Sequence, residues 1–109
     1  MKKKKDIWVQ RFENEVIPIL KKEYSPLKMI LFGSRIRGRP TRYSDIDVII
    51  VSEIFSKTKF INRMGEMLIK FEFPKHVDYF CYTSEEFDKV VKSSFTIKEA
   101  LEKGVEVEL

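Results

Sequence analysis

Two aspartates separated by one residue stand at the mouth of an apolar run, Ser44-Asp45-Ile46-Asp47-Val48-Ile49-Ile50-Val51. Side chains alternate in an extended chain, so Asp45 and Asp47 project from one face with Cα atoms about 7 Å apart. Ile46, Val48 and Ile50 take the other face. A slip of one residue would bury both acids and expose the apolar set, so the register is well specified. Carboxylates this close repel each other unless a cation lies between them. The pair is therefore a candidate metal site.

Upstream, a shorter apolar run stops at Gly33-Ser34, and four arginines follow within eight residues. Gly33 permits a tight turn, and Ser34 is expected to N-cap a short helix over residues 35–38. A strand, a Gly-Ser turn and a helix start turn backbone N–H groups toward an anion. Such a cradle beside two carboxylates suits a metal-bound nucleoside triphosphate, because Mg²⁺ takes one or two carboxylates together with phosphate oxygens. The Walker phosphate loop fits poorly: Gly33 and Gly38 have its glycine spacing, but Arg39-Pro40 stands where Lys-Ser/Thr is required.

The pattern Gly33-Ser34, Arg37-Gly38, Ser44-Asp45-Ile46-Asp47 and a following apolar strand resembles the DNA polymerase β-type nucleotidyltransferase superfamily. Its length and spacing are most similar to the smallest branch, the minimal nucleotidyltransferases. The resemblance implies an α/β (α+β) fold with a small mixed β-sheet and flanking helices. It implies a third aspartate on a later strand, and His76-Val77-Asp78-Tyr79-Phe80 supplies Asp78. It implies ATP as substrate and two Mg²⁺ ions, with Mn²⁺ as a substitute. Asp45 and Asp47 would hold both ions, while Asp78 would hold one and orient or deprotonate the attacking hydroxyl. Gly33, Ser34, Arg37 and Ser44 would contact the nucleotide. The resemblance further implies the antitoxin of a toxin–antitoxin pair, acting on a helical HEPN-type ribonuclease by moving AMP onto a partner tyrosine. Two other readings compete. One is a non-catalytic nucleotide-binding module that inhibits its partner sterically. The other is a small-molecule transferase, disfavoured because little chain follows the third strand to build an acceptor domain.

At 109 residues, with 43% hydrophobic and 13% aromatic residues, the chain reads as one globular domain, 1–109. The net charge is +4, and Lys2 to Lys5 account for it. That run is expected to be a flexible basic tail. The nearly neutral remainder gives no basic surface for nucleic acid beyond the arginine loop. No apolar run approaches a membrane span and the Lys-rich start lacks a signal's apolar region, so a cytoplasmic protein is expected. The single cysteine, Cys81, is expected in the core.

The elements that must position the site follow from periodicity. Asp6 to Glu23 carries Trp8, Phe12, Val16 and Ile19 or Leu20 at helical spacing, with Pro18 expected to kink or break the helix. Leu27 to Phe32 is apolar on both faces, as an inner strand is. Phe60, Met64, Met67, Leu68 and Phe71 predict a helix over residues 56–73 with these side chains in the core. Val77 to Tyr82 is the third strand. Thr83 and Glu86 form a capping-box pattern for a helix through Val91, and Thr96 with Glu99 suggests a second helix closed by Gly104. Val105 to Leu109 alternates like an edge strand. Arg35, Arg39 and Arg42 are expected in solvent or against substrate, Tyr43 against a base, a partner or the sheet edge, and His76 in a structural role. If Gly33, Asp45, Asp47 and Asp78 are to converge, strand one must run antiparallel to strands two and three, which are then parallel.

Overall fold

The computed structural model describes residues 5–109. The elements, in order, are α1 (Ile7–Glu15), α2 (Ile17–Tyr24), β1 (Lys28–Phe32), α3 (Ser34–Arg37), β2 (Ile46–Val51), a 3₁₀ turn (Glu53–Lys57), α4 (Phe60–Lys70), β3 (Val77–Tyr82), α5 (Ser84–Ser93), α6 (Phe95–Lys103) and β4 (Val105–Glu106). The four strands form one sheet in the order β3-β2-β1-β4. β1 is antiparallel to β2, and β2 is parallel to β3, as convergence of the site requires. The lysine run at Lys2 to Lys4 lies outside the described residues, whereas Lys5 pairs with Glu13 at 2.9 Å.

Strand alternation divides the core in two. Met29, Leu31, Val48, Ile50, Tyr79 and Cys81 face α1, α2 and α4, where Phe12, Leu20 and Met67 are fully buried. Ile30, Ile49, Val51 and Tyr82 face α5 and α6 through Phe87, Ile97 and Ala100. Each central strand is therefore covered on both faces, which is why its sequence is apolar on both. Trp8 sits at the margin of the first core, edge-on to Phe73 at 6.0 Å.

The first helical stretch breaks into α1 and α2 at Val16, two residues before Pro18, because proline has no N–H to donate and its ring crowds the preceding turn. Between β2 and β3 the helix is shorter than its apolar spacing predicts. Ser52 caps a separate 3₁₀ turn by accepting from the Ile54 amide, and Thr58 and Lys59 are extended before α4 begins. Phe60 consequently lies at the helix start, 58% exposed, rather than in the core. Arg63 is buried instead: it donates to the Thr58 and Cys81 carbonyls and pairs with Glu86 at 2.6 Å, tying α4 to β3 and α5. Glu86 also closes the capping box of α5 with Thr83. Its carboxyl is held below the usual range, first by the Arg63 bond.

Two caps differ from expectation by one or two residues. α3 is capped by Gly33, not Ser34, because the turn out of β1 needs a left-handed φ of 88° at that position. α6 is capped by Ser94, whose hydroxyl accepts from the Ile97 amide, so Thr96 falls inside its first turn. β4 is the edge strand expected at the C-terminal segment, with two ladder residues and one further bond from the Val107 amide to the Met29 carbonyl.

Arg35 corrects the reading of the arginine loop. It is only 7% exposed, and its guanidinium donates to the Ser44 carbonyl at 2.8 Å, the Thr41 carbonyl at 3.2 Å and Asp6 at 2.9 Å. Asp6 in turn caps α1 by accepting from the Trp8 and Val9 amides. One side chain thus fixes residues 41–44, the segment that delivers Asp45, against α3 and α1. A lysine offers one ammonium where the guanidinium fork reaches three acceptors. Arg35→Lys is expected to cost roughly 2–3 kcal/mol, the scale of leaving buried acceptors unpaired. Urea denaturation of parent and variant measures it, and a loss below about 0.5 kcal/mol would show that the clamp is dispensable.

Candidate functional site

The site lies where the helix cover of the second face ends. Parallel pairing of β2 and β3 sets Asp47 opposite Asp78, so the two carboxyls share a face on adjacent strands. On the other side of β2, antiparallel pairing sets Phe32 opposite Asp47 and so brings Gly33 beside it. A Cβ added to Gly33 would stand 2.1 Å from Asp47 Oδ2. Glycine is therefore required twice here, for its φ and for the closeness of this approach. Phe32 and Phe80 pack at 5.4 Å on the same face and make an apolar neighbour for the acids.

Asp45 precedes β2, and the adjacent Ile46 amide donates to the His76 carbonyl at 3.1 Å, which joins the entrances of β2 and β3. Asp45, His76 and Asp78 each offer a ligand atom, and these atoms lie within 4.8 Å of one another. His76 Nε2 is 3.0 Å from Asp78 Oδ1. Asp47 stands next to this group, toward the Gly33 turn. The three sequence-selected aspartates are thus neighbours, and His76 joins them. The signal for His76 is its period-two spacing from Asp78, which places both on one face of β3.

The crowding of acids has an electrostatic signature. The Asp47 carboxyl is pushed up to about 6, chiefly by burial, then by the charge of Asp78, a hydrogen bond with Asp78 and the charge of Asp45; His76 opposes the shift. Burial and the neighbouring acids thus make ionisation of Asp47 more costly than that of an isolated aspartate. An oxygen-rich set of carboxylates with one imidazole, short of positive charge, fits a divalent cation.

The other sequence-selected residues divide. Ser34 opens α3 beside Gly33. Ser44 helps to shape the turn before Asp45: its hydroxyl accepts from the Thr41 amide at 2.9 Å and its carbonyl accepts from Arg35. Arg37 is exposed and ion-paired with Glu99 of α6. Both line a cleft of about 240 Å³ between the Gly33 turn and α6, with Phe32, Asp47, Phe95 and Lys103. Tyr43 is 77% exposed under the Arg42 guanidinium, 4.9 Å from its ring centre. Cys81 is buried, and burial pushes its thiol up to about 12, the property of an inert core residue.

Known proteins are similar to this chain. The nucleotidyltransferase domain family matches residues 13–107. A Haemophilus influenzae protein named as a probable protein adenylyltransferase, MntA, is 32% identical over 77 residues, covering 69% of this chain and 68% of its own. The crystal structure of a Sulfolobus solfataricus protein, itself named only as a candidate nucleotidyltransferase, superposes with a TM-score of 0.59 at 24% identity, covering 96% of this chain and 87% of that one. The chain belongs to the nucleotidyltransferase domain family and is a minimal member of it, an enzyme of the transferase class. Among the described residues, no helix is long and apolar enough to cross a membrane.

The raised Asp47 carboxyl has a consequence for metal-free stability. Its folded value near 6 exceeds its ordinary 3.8, so its contribution is fully present below the ordinary value and is lost as pH rises through about 6. In chelator, Asp47→Asn is expected to melt at or above the parent temperature at pH 8, with the advantage shrinking toward pH 4. Thermal denaturation at the two pH values checks this. A variant that melts well below the parent at pH 8 would make Asp47 a structural residue.

Proposed function

We propose that this transferase moves AMP from ATP onto a hydroxyl of a partner protein, and that residues 1–109 form one nucleotidyltransferase domain serving as the antitoxin of a HEPN-type toxin pair in the cytoplasm. The observation that carries the transfer chemistry is the convergence of Asp45, Asp47 and Asp78 beside the Gly33 turn. The protein acceptor is supported by the likeness to the Haemophilus protein named as a protein adenylyltransferase. The toxin pairing is carried from the resemblance to minimal nucleotidyltransferases.

In this reading Asp45 and Asp47 would hold two divalent ions, Mg²⁺ or Mn²⁺, and Asp78 would share one of them. When bound, the ions supply the charge that stabilises the attacking and leaving oxygens of an in-line displacement. The remaining work falls to the chain. Gly33 and Ser34 turn backbone toward the β- and γ-phosphates, and Arg37 exchanges Glu99 for phosphate. Asp78 orients the acceptor hydroxyl and takes its proton as the acceptor oxygen bonds to the α-phosphorus. The bond from the α-phosphorus to the bridging oxygen breaks, and pyrophosphate leaves with its electrons. The Arg35 clamp keeps Asp45 in place through each turnover.

The acceptor surface comes from the partner. The β4 edge, with Val105 51% exposed and Leu109 60% exposed, offers an apolar stripe and free strand hydrogen bonds suited to cover by another chain.

The test is co-expression with a helical partner, incubation with ATP and Mg²⁺ or Mn²⁺, and mass spectrometry of the partner for an AMP-sized increment. Asp78→Asn is expected to keep nucleotide binding within about tenfold while losing transfer by about 10²–10⁴, the range of a lost general base. An unmodified partner with the parent enzyme would remove the protein-acceptor reading, and equal transfer by parent and Asp78→Asn would remove Asp78 from its role.

A further inference from the structure

The carboxylates of the site are not in equivalent surroundings. Asp47 lies against the Gly33 turn and also feels the Asp78 and Asp45 carboxyls and His76. Asp45 and Asp78 also meet His76, and the ligand atoms of these three fall within 4.8 Å of one another. His76 is held there by its backbone: its carbonyl accepts from the Ile46 amide, and the preceding Lys75 donates to the Arg42 carbonyl and lies 5.9 Å from the Trp8 ring centre. Its side chain is half exposed, and Nε2 meets Asp78 Oδ1 at 3.0 Å at the edge of the group.

Ligand type selects the metal. Mg²⁺ favours oxygen donors and near-ideal octahedra, whereas an imidazole nitrogen favours first-row transition ions. We propose that His76 is a nitrogen ligand to the ion that Asp78 shares with Asp45 and Asp47, so that this acceptor-side position is a mixed N/O site selective for Mn²⁺, while the other position, toward the phosphates, remains an oxygen site suited to Mg²⁺. The proposal rests on the nucleotidyltransferase reading given above and adds a division of labour between two unlike metal positions. It also gives the residue before β3 a chemical reason to be histidine, which its exposed position does not otherwise require.

His76 is the single histidine of the sequence, so ¹⁵N-histidine labelling of the untagged chain marks this imidazole alone. Pulsed electron paramagnetic resonance of Mn²⁺ bound with an α,β-methylene ATP analogue then reads nitrogen ligation directly, free of interference from adenine nitrogens. The expected result is a ¹⁵N coupling in the parent that is absent in His76→Gln. Titrations should show Mn²⁺ affinity falling about tenfold in the variant, the low end for disturbing a histidine of a metal site. Mg²⁺ affinity should change less than twofold. Bound Mn²⁺ with no ¹⁵N coupling in the parent would overturn the proposal while leaving the transferase reading intact. Equal weakening of both ions would also overturn it, reducing His76 to a residue that orients Asp78. Failure of the parent to bind either ion with the analogue would overturn both this proposal and the reading on which it rests.

Discussion

Repulsion between carboxylates on adjacent parallel strands is the constraint around which the chain is built. Hydrogen bonding between β2 and β3 fixes Asp47 opposite Asp78. Neither acid can swing to the other face without exchanging places with the buried Ile46, Val48 and Val77. Two side chains that would separate in water are held together by the burial of their neighbours. The hydrophobic core thus offsets a local electrostatic cost, which a bound cation would relieve. Strain of this kind at a functional site is sustained only where the surroundings over-determine it.

The surroundings do so by three clamps of different kinds. Gly33 lets the β1 turn close against Asp47 at a distance no side chain would allow. Arg35 spans α1, α3 and the turn before Asp45 with one guanidinium, satisfying two carbonyls and a carboxylate at once. Arg63 performs the corresponding task behind β3, joining α4 and α5 to the Cys81 carbonyl. Each uses the fixed fork of arginine or the missing side chain of glycine, so conservative replacements fail to reproduce them. The contrast with Arg37 is informative: it is exposed, pairs among the described residues with Glu99, and borders the open cleft, where it can change partners.

Much of the fold was legible because strands with covered faces and period-two acids admit few arrangements. Val77 to Tyr82 emerges as the third strand with its boundaries unchanged, and the antiparallel and parallel pairings follow from convergence alone. The capping box at Thr83 and Glu86 is equally local, and it forms. What was not legible depends on partners distant in sequence. Arg35 and Arg37 are both loop arginines to a sequence reader, and only the fold shows that Arg35 is the one that meets Asp6, 29 residues away, together with the Thr41 and Ser44 carbonyls. At the break at Thr58 and Lys59 the buried Arg63 takes the Thr58 carbonyl, a contact that no apolar periodicity records. His76 shows the opposite failure. Its spacing from Asp78 was visible, but its approach to Asp45 depends on the β2–β3 register.

The central claim is that Asp47 and Asp78 form a cation site continuous with the phosphate cradle at Gly33. Anomalous diffraction at the manganese edge, on crystals grown with Mn²⁺ and a non-hydrolysable ATP analogue, tests it most directly. The expected map has an ion peak ligated by the Asp47 and Asp78 carboxylates, with triphosphate oxygens against the Gly33-Ser34 backbone. Nucleotide bound elsewhere on the molecule, or triphosphate at Gly33 with no ion between the two carboxylates, would contradict it.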